Sequence, residues 1–186
     1  MKKIIGITGS IGSGKSYAVQ KFKEICKAKK KKAIFLDVDA IRRKILEEEK
    51  IDKVQLNQKI YNDKKAMENY KKYINPKIKQ YLEKEIVKAK DSVLFIEWAL
   101  LLEDGFYDIV DSIIMINCQR EIQIKRLENG DLDKEAILKR INLQLTNQQK
   151  IEKIKQLNKE YYIIDTTNNP LVEAYQDILK KEGVIL

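Results

Sequence analysis

Apolar residues along this chain fall into short continuous runs separated by longer stretches with helical spacing. Lys3 to Thr8 carries Ile4, Ile5 and Ile7, and Ala33 to Val38 reads Ala-Ile-Phe-Leu-Asp-Val. Ser92 to Glu97, Ser112 to Asn117 and Tyr161 to Asp165 have the same character. Runs of this kind read as strands buried on both faces. Between them apolar residues recur at steps of three and four. Ala18, Val19, Phe22, Ile25 and Cys26 predict a helix over 17–26, and Ile41, Ile45 and Leu46 predict one from about 40 to 49. Ile74, Ile78, Leu82 and Ile86 predict a helix over 76–90 with Pro76 in its first turn. Further helices are expected at about 119–128, 133–146, 148–158 and 171–181. The stretch 51–73 is polar and mixed, helical with turns near Asn62-Asp63, and Val54, Leu56, Ile60 and Tyr61 are its expected buried points. Strands alternating with helices predict an α/β fold, a five-stranded parallel sheet flanked by helices.

Directly after the first strand stands Gly9-Ser10-Ile11-Gly12-Ser13-Gly14-Lys15-Ser16, which fits the phosphate-loop pattern G-x-x-x-x-G-K-[ST]. Strand, glycine loop and helix are the context this motif needs. Glycines let successive N–H groups turn inward toward phosphate oxygens, and the helix that follows starts with unpaired donors and partial positive charge. Gly9, Gly12, Ser13, Gly14, Lys15, Ser16 and Tyr17 are therefore the expected seat of ATP. Lys15 would reach the β- and γ-phosphates and Ser16 would hold Mg²⁺. The pattern predicts a P-loop NTPase fold in one domain. Its core covers about 1–49 and 91–186, with a helical insertion at about 50–90. The polar break Glu128-Asn129-Gly130-Asp131 suits a lid at about 126–134.

Composition narrows the chemistry. The 186 residues suit one domain with a sizeable core. The net charge of +9 suits polyanionic partners, from nucleotides to nucleic acid, and much of the excess is lysine, as in Lys27 to Lys32. That run reads first as a solvated helix end. Histidine is absent, so a general base has to be a carboxylate or, less readily, Lys, Tyr or Cys. Cys26 and Cys118 fit no metal spacing and read as buried free thiols of a reducing cytosol. No apolar run is long enough to span a membrane, and Met1-Lys2-Lys3 leaves no room for a leader before the first strand.

In a parallel sheet ligands bind beyond the carboxyl ends of the strands. That rule gathers the loop, Asp37 and Asp39 after strand two, and Glu97 after strand three. Either aspartate could accept a proton from a substrate hydroxyl, and either could instead cap the next helix. Glu97 is a candidate for Mg²⁺. Arg43, Arg126 and Arg140 stand out in a lysine-rich chain, because guanidinium binds phosphate bidentately.

With these residues in view the chain resembles the dephospho-CoA kinase family from about residue 3 to residue 169. The resemblance lies in the loop with its Ile11-Gly12 pair, in Asp37-Val38-Asp39 followed by Arg43, and in Glu97-Trp98-Ala99-Leu100-Leu101-Leu102-Glu103. It continues in Gln123-Ile124-Lys125-Arg126-Leu127 and Arg140-Ile141-Asn142-Leu143-Gln144. The family's His-Pro is Asn75-Pro76 here, Glu97 and Ala99 replace Asp and Pro, and Gly130 stands where a second lid arginine is usual. The resemblance implies transfer of the ATP γ-phosphate to the ribose 3′-hydroxyl of dephospho-CoA. It implies that Asp39 is the base, with Lys15 and Arg126 neutralising charge on the transferred group and Arg140 stacking on the adenine side. Asp37, Arg43, Asn75, Pro76, Leu100 and Leu101 are implied at the acceptor, in an insertion that closes over the site. A monomeric cytosolic enzyme with no nucleic-acid or membrane partner goes with that reading. The loop alone also suits a kinase of nucleosides, nucleotides or another metabolite. It suits equally a nucleic-acid-dependent NTPase or a non-catalytic nucleotide binder.

Overall fold

The computed structural model describes residues 2–90, 92–129 and 133–186. Five strands, β1 (Lys3–Thr8), β2 (Ala33–Asp37), β3 (Val93–Glu97), β4 (Ser112–Asn117) and β5 (Glu160–Asp165), pair in parallel in the order β2-β3-β1-β4-β5. Among the described residues eight α-helices surround them: α1 (Lys15–Ala28), α2 (Val38–Glu48), α3 (Lys53–Asn62), α4 (Lys64–Lys88), α5 (Arg120–Glu128), α6 (Lys134–Asn142), α7 (Asn147–Gln156) and α8 (Val172–Lys181). From β1 the chain first moves to one side, to β2 and β3, and then crosses to β4 and β5 on the other. The carboxyl end of β1 is thus the switch point where such sheets open a crevice for ligands.

Alternation along the strands divides the interior in two. Ile5, Ile7, Phe95, Ile114 and Ile116 face α1 and α8, where Phe22 stacks on Phe95 and meets Tyr175 edge-on. Ile96, Ile113 and Met115 face the other way, onto Val38, Ile41, Ile45, Ile74, Ile78, Leu82 and Ile154 of α2, α4 and α7. Gly6 faces this second side, and Leu101 lies directly over it, so close that a Cβ on Gly6 would fall 2.7 Å from the Leu101 Cδ2. The two cysteines are buried and unpaired. No helix among the described residues is long and apolar enough to cross a membrane.

The expected elements are present, with four differences; one is that the helix expected at about 133–146 stops at Asn142. Pro76 does not open a helix; it lies well inside the 25-residue α4 and is exposed. A proline inside a helix costs about 3 kcal/mol and leaves the carbonyl four residues earlier without its amide partner. The Ile74, Ile78 and Leu82 stripe, buried against the second core, offsets that cost and carries the helix through. Val54 is 66% exposed rather than buried, because α3 turns Ile60 inward instead. Val38 ends no strand but begins α2, since the Asp37 carboxylate caps the helix at that point.

Candidate active site

The donor end is built from backbone. Asp or Thr side chains cap α2, α3, α4, α6 and α7, whereas α1, like α5 and α8, has no side-chain cap, and it alone of these opens on a glycine, Gly14. Its φ of 90° is left-handed, a conformation that glycine adopts freely. The first-turn N–H groups of α1 are therefore left for an anion. Gly12 lies beneath Gln123 and Leu127 of α5, and Gly9 against the Ile116 carbonyl. The loop is clasped from outside. The Gln144 amide oxygen accepts from the Ile11 N–H at 2.9 Å, and the Gln123 amide donates to the Ile11 carbonyl. Ser10 Oγ donates to Asn147 at 2.9 Å, and Thr166 Oγ1 donates to the Ser13 carbonyl at 2.6 Å. Ser13 Oγ is buried without a partner. Tyr17 stands half exposed one position past Ser16.

Charged groups ring this loop. The Lys15 ammonium donates to the Ser10 carbonyl at 3.4 Å. Desolvation pushes Lys15 below the ordinary lysine value of 10.5; Glu97 and then Asp39 pull it back, Lys150 pushes it further down, and Asp37 raises it slightly. Ser16 Oγ donates to Glu97 Oε1 at 3.3 Å. Burial raises Glu97 above the ordinary 4.5 against the pull of Lys15, and Asp37 adds to the rise. Arg126 forks onto Thr166, 2.6 Å to its carbonyl and 2.9 Å to its hydroxyl, beside Gly14. The magnesium ligands expected from the sequence, Ser16 and Glu97, are thus neighbours. Among the described residues no three His, Cys, Asp or Glu side chains form a metal cage. Mg²⁺ does not require one, because it keeps waters and completes its shell with phosphate oxygens. This pair of hard oxygens fits it.

The two aspartates now separate. Asp37 Oδ1 accepts from the Asp39 and Ala40 N–H groups at 2.8 and 3.1 Å, so Asp37 is the N-cap of α2. Asp39, within the first turn of α2, lines with Lys15 a cavity of about 320 Å³. Arg42 pairs with Asp39 at 3.0 Å and lines the same cavity. Of the residues expected at the acceptor, Asp39, Asn75 and Leu100 line it, and Asp37, Arg43, Pro76 and Leu101 do not. Arg43 is half exposed and reaches back to Asp37 at 3.8 Å. Pro76 faces solvent, and Leu101 fills the space over Gly6. Arg140, expected on the adenine side, stands on this cavity with its guanidinium 5.6 Å from the Tyr61 ring centre.

Several site residues escaped the sequence reading. Met67, Tyr70, Lys71 and Ile74 join the expected Asn75 in one stripe of α4 along the cavity. Their i, i+3, i+4, i+7, i+8 spacing was a usable signal, masked by the lysines around it. Lys71 pairs at 2.8 Å with Asp104, whose side chain is almost wholly enclosed. The expected lid at about 126–134 falls partly on Gly130 and Asp131, which lie outside the described residues; α5 ends before them and Asp133 caps α6 after them.

Comparison with known proteins follows the same lines. The family model for dephospho-CoA kinase matches residues 44–160, more than half of the chain. A dephospho-CoA kinase of Listeria innocua is 28% identical over 200 residues, covering 95% of this chain and 93% of that protein. The crystal structure of TT1252 from Thermus thermophilus superposes with a TM-score of 0.79 at 21% identity, over 97% of this chain and 96% of that one. Shikimate kinase from Acinetobacter baumannii shares the fold more distantly, with a TM-score of 0.59 at 16% identity over 98% and 93% of the two chains. A P-loop kinase fold and a family match over residues 44–160 together place the chain: it belongs to the dephospho-CoA kinase family, the ATP-dependent phosphotransferases that convert dephospho-CoA to coenzyme A.

Proposed function

We propose that the transfer runs across the cavity between the phosphate loop and α4, with Asp39 as the base. The acceptor's ribose 3′-oxygen attacks the γ-phosphorus of ATP, the bond to the β–γ bridging oxygen breaks, and ADP leaves. The hydroxyl proton passes to Asp39. Phosphoryl transfer of this kind needs alignment and charge neutralisation more than covalent help. The uncapped start of α1 and the loop N–H groups hold the donor phosphates. Lys15 and Arg126 oppose charge developing on the transferred group. Ser16 and Glu97 hold Mg²⁺, which supplies further neutralisation when bound. Asn75, Leu100 and Arg42 position the acceptor, and α3 and α4 form the acceptor-binding insertion.

The observation that carries this reading is the division of labour between the aspartates: Asp37 is occupied as a helix cap, while Asp39 shares a cavity with Lys15. A monomer working in the cytosol, with no nucleic-acid partner, accords with it. The test is an ADP-release assay on the purified protein with ATP and Mg²⁺. Dephospho-CoA should be turned over and nucleoside monophosphates should not. Equal turnover of a monophosphate would reassign the acceptor, and normal turnover by Asp39→Asn would reassign the base.

A further inference from the structure

Lys150 is the one fully buried lysine among the described residues, and none of the roles above uses it. Its side chain is 0% exposed, on α7 against the second core. A buried ammonium is costly unless it is paired and hydrogen-bonded, and a buried ion pair is weak evidence of a stabilising role. Here the acceptors belong to two separate pieces of the site. One is the Ala99 carbonyl at 2.8 Å, in the turn after β3 that carries Leu100 into the cavity. The same carbonyl accepts from Thr8 Oγ1 at 3.3 Å, the last residue before the phosphate loop. The other is Glu103 Oε1 at 2.6 Å, at the far end of that turn.

Glu103 extends the connection. Its Oε1 also accepts from the Leu145 N–H at 3.1 Å. Leu145 sits in the segment between α6 and α7 that clasps the loop: Gln144 holds the Ile11 N–H, while the Leu145 carbonyl and Asn147 hold Ser10 Oγ. A continuous chain of bonds thus runs from the acceptor wall at Ala99–Leu100 through Lys150 and Glu103 to the outer face of the phosphate loop. Neither Lys150 nor Glu103 borders the cavity itself.

We propose that Lys150 is a positioning residue for the transfer: with Glu103 it locks the acceptor wall to the loop clasp and so sets the separation of the two substrates. The inference rests on the transfer reading above, and the wild-type assay with dephospho-CoA tests that reading independently. A small error in this separation matters, since a displacement of about 1 Å costs on the order of 100-fold in rate. It also admits water to the transferred group.

The experiment compares wild type with the double variant Lys150→Met/Glu103→Leu, which removes both charges without leaving one buried alone. Thermal unfolding checks that it is folded. Three quantities are then read: turnover of dephospho-CoA, ATP affinity by fluorescent-nucleotide titration, and ADP formed per acceptor phosphorylated. The expected result is a loss of kcat of about 100-fold, with ATP affinity within about threefold and an ADP ratio well above one. A folded double variant with wild-type kcat and a ratio of one would make the pair purely structural and overturn the proposal. Glu103→Gln keeps the volume and serves as the second reading, whether or not the double variant folds. It should lose about tenfold in kcat with a raised ADP ratio. An unchanged rate and ratio in that variant overturns the proposal equally.

Discussion

The two ends of the cavity are made in different ways. The donor end is a stretch of eight consecutive residues whose ligands are main-chain N–H groups, and other elements touch it only to hold its shape. Ile11 is gripped on both its N–H and its carbonyl by two glutamines, Gln144 of the segment between α6 and α7 and Gln123 of α5. The acceptor end is assembled from side chains on α2, α3, α4, α6 and the turn after β3, which arrive singly or at most as neighbouring pairs such as Ile60-Tyr61 and Ile74-Asn75. A backbone site tolerates changes around it so long as the curl survives. A side-chain site depends on helix phase at every contributing position. The donor end should therefore fail through loss of nucleotide affinity, and the acceptor end through loss of turnover.

The sharpest test of that contrast is Asp39→Asn. It should lower turnover about 1,000-fold, within the span assigned to general acid–base groups, while ATP affinity moves by less than threefold. A parallel loss of ATP binding would dissolve the distinction between the ends. Next in size is a gain. Pro76→Ala should stabilise the protein by up to about 3 kcal/mol in urea unfolding, because alanine restores the amide that α4 lacks at an exposed position. It should leave the KM for the acceptor unchanged; a tenfold rise would return Pro76 to the acceptor site. Gln144→Ala should weaken ATP binding about fivefold with kcat for bound substrate nearly unchanged, since it frees one loop N–H worth about 1 kcal/mol. The smallest effect is on pH dependence. Both Glu97 and Lys15 are shifted so that their charged forms are disfavoured. A protonated Glu97 cannot hold the cation, so kcat/KM should begin to fall with acid above the ordinary carboxylate value of 4.5. A neutral Lys15 cannot oppose phosphate charge, so the alkaline limb should lie below 10.5. Glu97→Gln should remove the acid limb and raise the Mg²⁺ requirement, measured by titrating magnesium at fixed ATP.

The same contrast explains what could be read from the chain. Strands were legible because burial on both faces leaves an uninterrupted apolar run, as in Ser-Ile-Ile-Met-Ile-Asn at β4. The loop was legible because its conformational demands fall on glycine and its chemistry on one lysine and one serine, all local. Pro76 was misplaced because a proline that starts a helix and one carried inside a helix look alike in sequence. Only the packing of Ile74, Ile78 and Leu82 distinguishes them. Arg42 and Arg43 present the same difficulty. Both follow Asp39 at helical spacing, and the arginine that reaches the cavity is decided by Asp37, whose capping carboxylate draws Arg43 toward itself.

By itself, then, the sequence determined the strand–loop–helix at the donor end, the parallel sheet, and the set of carboxylates that could serve the chemistry. Each rests on local rules of backbone freedom, periodicity and charge. The tertiary structure alone decided which carboxylate is spent on a helix cap and which faces Lys15. It alone turned Leu100 toward the cavity and Leu101 onto Gly6, and joined the two ends through a lysine 51 residues from the carbonyl it holds. These depend on the phase and docking of whole helices, fixed by burial summed over many residues rather than by any one of them.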